Sequence, residues 1–154
     1  MKDSILVVDD NPANIQLIAS ILDNKGYEVE VASSGIDAID ALKDRGFDLV
    51  LLDVMMPELD GYDTCVQIKQ NQRWKNLPVI FLTAKTDDES ISKGFASGGV
   101  DYVTKPFNAD ELIARAKTHI ELKKNREILE QKVKERTAKL AKANEELQTL
   151  DDAK

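Results

Sequence analysis

One cysteine, Cys65, is all the chain contains, so no disulfide can form within it and a reducing, cytoplasmic setting is expected. No stretch approaches the ~20 consecutive apolar residues that a membrane-spanning helix needs. The N-terminus has no basic region ahead of an apolar segment, and its first apolar run is cut short by Asp9. Neither export nor insertion into a membrane is expected. Clustered basic charge is missing as well. Residues 1–116 hold 11 Lys and Arg against 20 Asp and Glu, a net charge of −9, while residues 117–154 hold 10 against 8. An acidic body is a poor match for a phosphate backbone, so direct binding to nucleic acid is not expected. Aromatic residues are scarce at 5%, but 42% of the 154 residues are apolar, enough for one ordinary domain with an appendage.

Strand and helix patterns alternate five times. Ser4–Val8 is a short run of aliphatic residues that reads as a strand buried on both faces. Ile15, Ile18, Ala19 and Leu22 then recur at i, i+3, i+4 and i+7, with Pro12 suited to the first turn and Gly26 to the position past the end. Tyr27–Ala32 alternates as a strand with one wet face does, which predicts an edge. Ser34 can cap a helix carrying Ala38, Ile39 and Leu42 and stopped at Gly46. Asp48–Asp53 reads as a second doubly buried strand, followed by a loop and a helix bearing Tyr62, Cys65 and Val66. Pro78–Thr83 is the fourth strand. A helix with Ile91 and Phe95 on one side ends at Gly98-Gly99, residues 100–103 form a short fifth strand, and Asn108 caps a final helix. Such alternation predicts an α/β fold with right-handed crossovers: a doubly wound, flavodoxin-like parallel sheet of five strands in the order 2-1-3-4-5.

In that order the first and third strands flank the switch point, and ligands bind beyond their carboxyl ends. Asp9 and Asp10 follow the first strand and Asp53 ends the third. Three carboxylates in one cleft raise the proton affinity of at least one of them unless a cation intervenes, and Mg²⁺ suits a few carboxylates completed by water and phosphate oxygens. Thr83 and Lys105, from the ends of the fourth and fifth strands, add a hydroxyl and a fixed positive charge. Acids, a hydroxyl and an ammonium around one point describe a phosphoryl-transfer site. Blander readings exist for each residue alone. Asp9 or Asp10 could cap the first helix, Thr83 could be an ordinary strand end, Tyr102 a half-buried strand residue and Lys105 a turn residue. Cys65 reads as a small core hydrophobe. His119 is followed by Ile120 rather than an acid and reads as a helix-surface or seam residue.

The pair Asp9-Asp10, Asp53 with the following VMMPELDG, Thr83-Ala84, Tyr102 and Lys105-Pro106 together resemble a response-regulator receiver domain of two-component signalling, over residues 3–120. The resemblance implies that Asp53 accepts a phosphoryl group from a sensor histidine kinase, a phosphotransfer protein or a small acyl-phosphate-like donor. It implies Mg²⁺ held by Asp10, Asp53 and the Met55 carbonyl, with Asp9 acting mainly through water. Lys105 would neutralise phosphoryl oxygens, and its bond to Pro106 would be cis. Thr83 would swing toward the phosphoryl group and Tyr102 would follow inward, altering the face built from the fourth helix, fifth strand and fifth helix. Met55 and Lys85 flank the pocket at positions that could affect water access. A receiver accepts and slowly hydrolyses its own phosphoryl group and is not a turnover enzyme.

From Asn108 to Leu150 there is neither Pro nor Gly, so the final helix can reach roughly 60 Å. Beyond Ile120 the apolar spacing becomes heptad-like. Val133, Leu140 and Leu147 share one core position and Leu122, Leu129, Ala143 and Leu150 the other, with Arg126 and Arg136 interrupting the seam. Residues 1–120 are expected to form the receiver. Residues 121–154 are expected to form a coiled-coil extension that pairs in a homodimer, or a linker to a fused or partner output domain. The leading expectation is a phosphorylation-dependent switch relayed to this stalk. The alternatives are a constitutive coiled-coil scaffold and a Mg²⁺-dependent phosphohydrolase, although no substrate-specificity insert or second acid positioned to activate water is evident for the latter.

Overall fold

A computed structural model describes residues 2–84 and 87–152, with side chains through Leu147. Five strands, β1 (Ser4–Val8), β2 (Glu28–Ala32), β3 (Leu49–Asp53), β4 (Val79–Thr83) and β5 (Asp101–Thr104), form one parallel sheet in the order β2-β1-β3-β4-β5. Between them run α1 (Pro12–Asn24), α2 (Gly35–Asp44), α3 (Gly61–Gln70) and α4 (Asp88–Ala96), and α5 (Ala109–Asp152) follows the last strand. The doubly wound arrangement expected from the alternation is what the chain adopts. The chain divides into two compact units, residues 1–123 and residues 124–154.

The central strands are buried throughout because helices cover both faces. Side chains alternate across the sheet. Leu6, Val8, Val50, Leu52, Val79 and Phe81 meet Ala38 and Leu42 of α2 and Cys65 and Ile68 of α3. Ile5, Val7, Leu49, Leu51, Ile80 and Leu82 meet Ile18 and Leu22 of α1 and Leu112, Ala116 and Ile120 of α5. β2 is an edge, with Glu28, Glu30 and Val31 exposed. Its alternation is the mark of a strand covered on one face.

Local chemistry fixes the helix ends. Pro12 opens α1, and the Asn11 side chain accepts the Ala13 N–H. Gly26, with φ +88°, carries the chain out of α1 in a conformation that L side chains resist. Ser34 caps α2 and Asn108 caps α5, each accepting an N–H three residues on. One helix face differs from expectation. Val66 points outward while Thr64 and Ile68 join Tyr62 and Cys65 inside. On α4 Ile91 and Phe95 lie on one side, as expected, with Phe95 half-exposed. In both short helices glycine or threonine occupies a core position, which apolar counting overlooks. β5 starts one residue later than expected, at Asp101, although the Val100 N–H ahead of it is already bonded to the Val79 carbonyl.

In the second unit α5 is polar on most sides. Leu129, Val133, Leu140 and Leu147 are at least 60% exposed within the single chain. No helix among the described residues is long and apolar enough to cross a membrane.

Candidate functional site

Parallel pairing brings the carboxyl ends of β1, β3, β4 and β5 to one end of the sheet. Val8 pairs with Leu52, Asp53 with Leu82, and Thr83 with Thr104, so the residues at and just past these strand ends converge. The backbone stays bonded beyond the strands: the Asp9 N–H donates to the Ala32 carbonyl, and the Lys105 N–H to that of Thr83. Asp9, Asp10 and Asp53 thus offer carboxylate oxygens that all lie within 4.8 Å of one another. Asp9 is 0% exposed and Asp53 3%, whereas Asp10 faces solvent.

Lys105 Nζ joins two of these acids, 2.9 Å from Asp53 Oδ1 and 3.3 Å from Asp9 Oδ2. Asp53 Oδ1 also accepts the Met55 N–H at 3.4 Å. Burial in the cleft pushes the Asp53 carboxyl above its ordinary value; the hydrogen bond from Lys105 opposes this, and the charge of Asp9 adds to the rise. Burial works against the charge on Lys105, but its bonds to Asp53 and Asp9 prevail and hold the ammonium above its usual value. The Lys105–Pro106 bond is cis. Behind Asp53 the chain turns through Glu58, at φ +65°, into α3, and the Gly61 N–H bonds the Val54 carbonyl. A Cβ at Gly61 would lie 2.3 Å from the Asp53 carbonyl oxygen, so only glycine lets α3 begin that close to the acid.

Thr83 is buried at the end of β4, and Tyr102 is half-buried on β5. Both line a small apolar recess with Tyr62, Phe81 and Ile91. The Met55 side chain is 62% exposed at the mouth of the cleft. Lys85 lies outside the described residues. Asp9 and Asp10 do not cap α1, a role that belongs to Asn11.

Two arrangements escaped the sequence reading. His119 is neither on the open helix surface nor in a seam. Its Nε2 lies 3.0 Å from Asp101 Oδ2, while Arg115 holds Asp101 Oδ1 at 2.6 Å through Nη1 and places its guanidinium carbon 5.8 Å from the centre of the Tyr102 ring. Burial alone would raise the Asp101 carboxyl, but the bonds from Arg115 and His119 outweigh it and leave it below the usual carboxylate value. The second arrangement is the set of donors around Asp9. The Asn11 N–H reaches Oδ1 at 2.9 Å and Asn14 Nδ2 reaches Oδ2 at 3.3 Å. The available signal was an asparagine, a weak helix former, one turn beyond Asp10.

The family model of the response regulator receiver domain matches residues 5–117. The chain belongs to the response-regulator receiver family. A Vibrio cholerae serotype O1 protein named "Probable cyclic di-GMP phosphodiesterase" is 43% identical over 126 residues, 82% of this chain and 28% of that protein. The transcriptional regulatory protein SpaR of Bacillus subtilis is 42% identical over 119 residues, 75% of this chain and 51% of that protein. The structure of the Vibrio cholerae chemotaxis protein CheY4 superposes with a TM-score of 0.74 at 30% identity, covering 77% of this chain and 98% of the other. The chain spans about half or less of the length of these two curated relatives. As a receiver domain of two-component response regulators, it groups three carboxylates, two of which, Asp9 and Asp53, are bonded to the Lys105 ammonium. Oxygen donors with an excess of negative charge fit a hard divalent cation such as Mg²⁺.

Proposed function

We propose that this receiver is a phosphorylation-controlled signalling switch in which Asp53 is the phosphoacceptor. The observation that carries the reading is the buried Asp53 carboxylate held 2.9 Å from Lys105 and grouped with Asp9 and Asp10. An Asp53 oxygen attacks phosphorus of a phosphohistidine on a sensor kinase or phosphotransfer protein. The new O–P bond forms as the P–N bond breaks, and the imidazole leaves with the electron pair of that bond and regains a proton from solvent. Asp10, Asp53 and the Met55 carbonyl would hold Mg²⁺, with Asp9 acting through water, and the bound ion supplies neutralisation of the phosphoryl oxygens. Lys105 supplies a fixed positive charge to the same oxygens. Asp53 needs no general base, because its ionised form is the nucleophile.

The acyl phosphate adds nearly two negative charges at the floor of the cleft. Thr83 turns its hydroxyl toward the new oxygens and Tyr102 moves into the recess beside it, which alters the surface of α4, β5 and α5. The receiver is taken as residues 1–120 and the extension as residues 121–154. We further propose that the extension pairs with a second copy and relays the change along α5, or leads to an output domain, with the whole protein acting in the cytoplasm. The exposed Val133, Leu140 and Leu147 at heptad spacing support the pairing. The switch itself turns over no external substrate.

Site mapping tests the assignment. After incubation with a small acyl-phosphate donor and Mg²⁺, trapping of the modified side chain and peptide mapping should place the change on Asp53. A modification on His119 or on a hydroxyl residue would overturn it. Steady release of phosphate from generic phosphoesters would favour a phosphohydrolase instead.

A further inference from the structure

Asp9 is fully buried, and a buried carboxylate is tolerated only when its oxygens are met by donors. Three reach it: the Asn11 N–H on Oδ1, and Asn14 Nδ2 and Lys105 Nζ on Oδ2. Two of these are committed elsewhere. The Asn11 side chain caps α1, so its backbone is fixed by the helix start, and Lys105 also binds Asp53. Asn14 is different. It is the third residue of α1, where asparagine is a poor helix former, and no capping role remains for it, because the Asn11 side chain already takes the Ala13 N–H.

We propose that Asn14 is a positioning residue of the acidic site, holding the Asp9 carboxylate in the orientation that a bound divalent cation requires. The inference rests on the phosphoacceptor reading above and extends it to the group behind the acids. When Asp53 carries a phosphoryl group, the charge beside Lys105 grows and the ammonium is drawn toward the new oxygens. Asp9 Oδ2 then keeps the Asn14 amide as its neutral donor, one that neither competes for the cation nor moves with the phosphoryl group. Partners that orient a metal-binding side chain from behind typically change affinity about 10–100-fold when removed, and because Asp9 acts through water the lower end applies here.

The test uses the full chain and three variants, Asn14→Ala, Asn14→Gln and Asp53→Asn, with MgCl₂ titrated calorimetrically and the thermal midpoint read in chelator. Alanine is the better helix former and offsets part of the cost of the donor that buried Asp9 loses, so Asn14→Ala should keep the midpoint in chelator within a few degrees of the parent while raising the Mg²⁺ dissociation constant about tenfold. Asn14→Gln, which keeps the amide, should recover most of that loss. Saturating Mg²⁺ should restore phosphorylation of Asn14→Ala to within about twofold of the parent, as expected of a group acting through Asp9. Unchanged Mg²⁺ affinity in Asn14→Ala would overturn the proposal. So would a lower midpoint with unchanged affinity, which marks a purely structural role. Failure of the parent chain itself to bind Mg²⁺ or to be phosphorylated would instead overturn the phosphoacceptor reading.

Discussion

Asp53 is held in a conflict that only the site's chemistry resolves. Burial and the neighbouring Asp9 raise its proton affinity against the pull of Lys105. A carboxyl whose folded value is raised contributes stability below its unfolded value, near 3.8, and that contribution is lost as pH rises through the folded value. At neutral pH the ionised side chain therefore costs the fold stability. Asp53→Asn should raise the thermal midpoint in chelator at pH 7 by a few degrees, with the gain fading as the pH falls toward 4, and should shrink the stabilisation that Mg²⁺ gives the parent chain. Calorimetric scans across that pH range check both. Asp101 has the opposite sign. Arg115 and His119 hold its folded value low, so its contribution is present above about 3.8 and is lost as pH falls through the lower folded value. Asp101→Asn should lower stability by about 1–2 kcal/mol at pH 7, because a charge-assisted bond is worth about 1.5–3 kcal/mol and solvent at the partly exposed Arg115 screens some of it. The difference from the parent should narrow on acidification, as read from urea midpoints.

The elements place these groups, and most of that placement is legible in the sequence. The runs ending at Val8, Asp53 and Thr83 can only be strands covered on both faces, and parallel strands bring their carboxyl ends together, which is why Asp9, Asp10, Asp53, Thr83 and Lys105 could be grouped in advance. Contacts set by side-chain reach between elements were not legible. The His119–Asp101 bond joins residues 18 apart, and neither residue type announces the other. The Asn14–Asp9 bond was hidden because helix periodicity ranks apolar positions and is silent on a polar side chain turned back toward a strand end. The small core positions in α3 were hidden for a related reason, since Gly61 is selected by the approach of the Asp53 carbonyl and not by hydrophobicity. Gly61→Ala, whose Cβ would press on backbone, should cost about 1–3 kcal/mol and weaken phosphorylation together with the fold. Denaturant unfolding beside a phosphorylation assay reads both.

For the whole molecule, residues 1–123 form a compact unit whose last turn is fastened by Ile120 in the core and by Lys123 Nζ, 3.5 Å from Asp48 Oδ1. A chain ending at Lys123 should therefore keep its fold and its phosphorylation. Leu129, Val133, Leu140 and Leu147 of the second unit are exposed, which is the face the proposed pairing would cover. The proposed pairing predicts that Leu140→Asn weakens self-association by more than about tenfold in sedimentation, given ~1.5–3 kcal/mol for burying such a side chain, with the receiver's thermal midpoint unchanged. The switch reading rests on Asp53 accepting a phosphoryl group. The most direct measurement is intact mass after incubation with a small acyl-phosphate donor, with and without Mg²⁺, for the parent chain and for Asp53→Asn. The account predicts the gain of one phosphoryl group that requires both Mg²⁺ and Asp53. No gain by a folded parent chain, or an equal gain by Asp53→Asn, would contradict it.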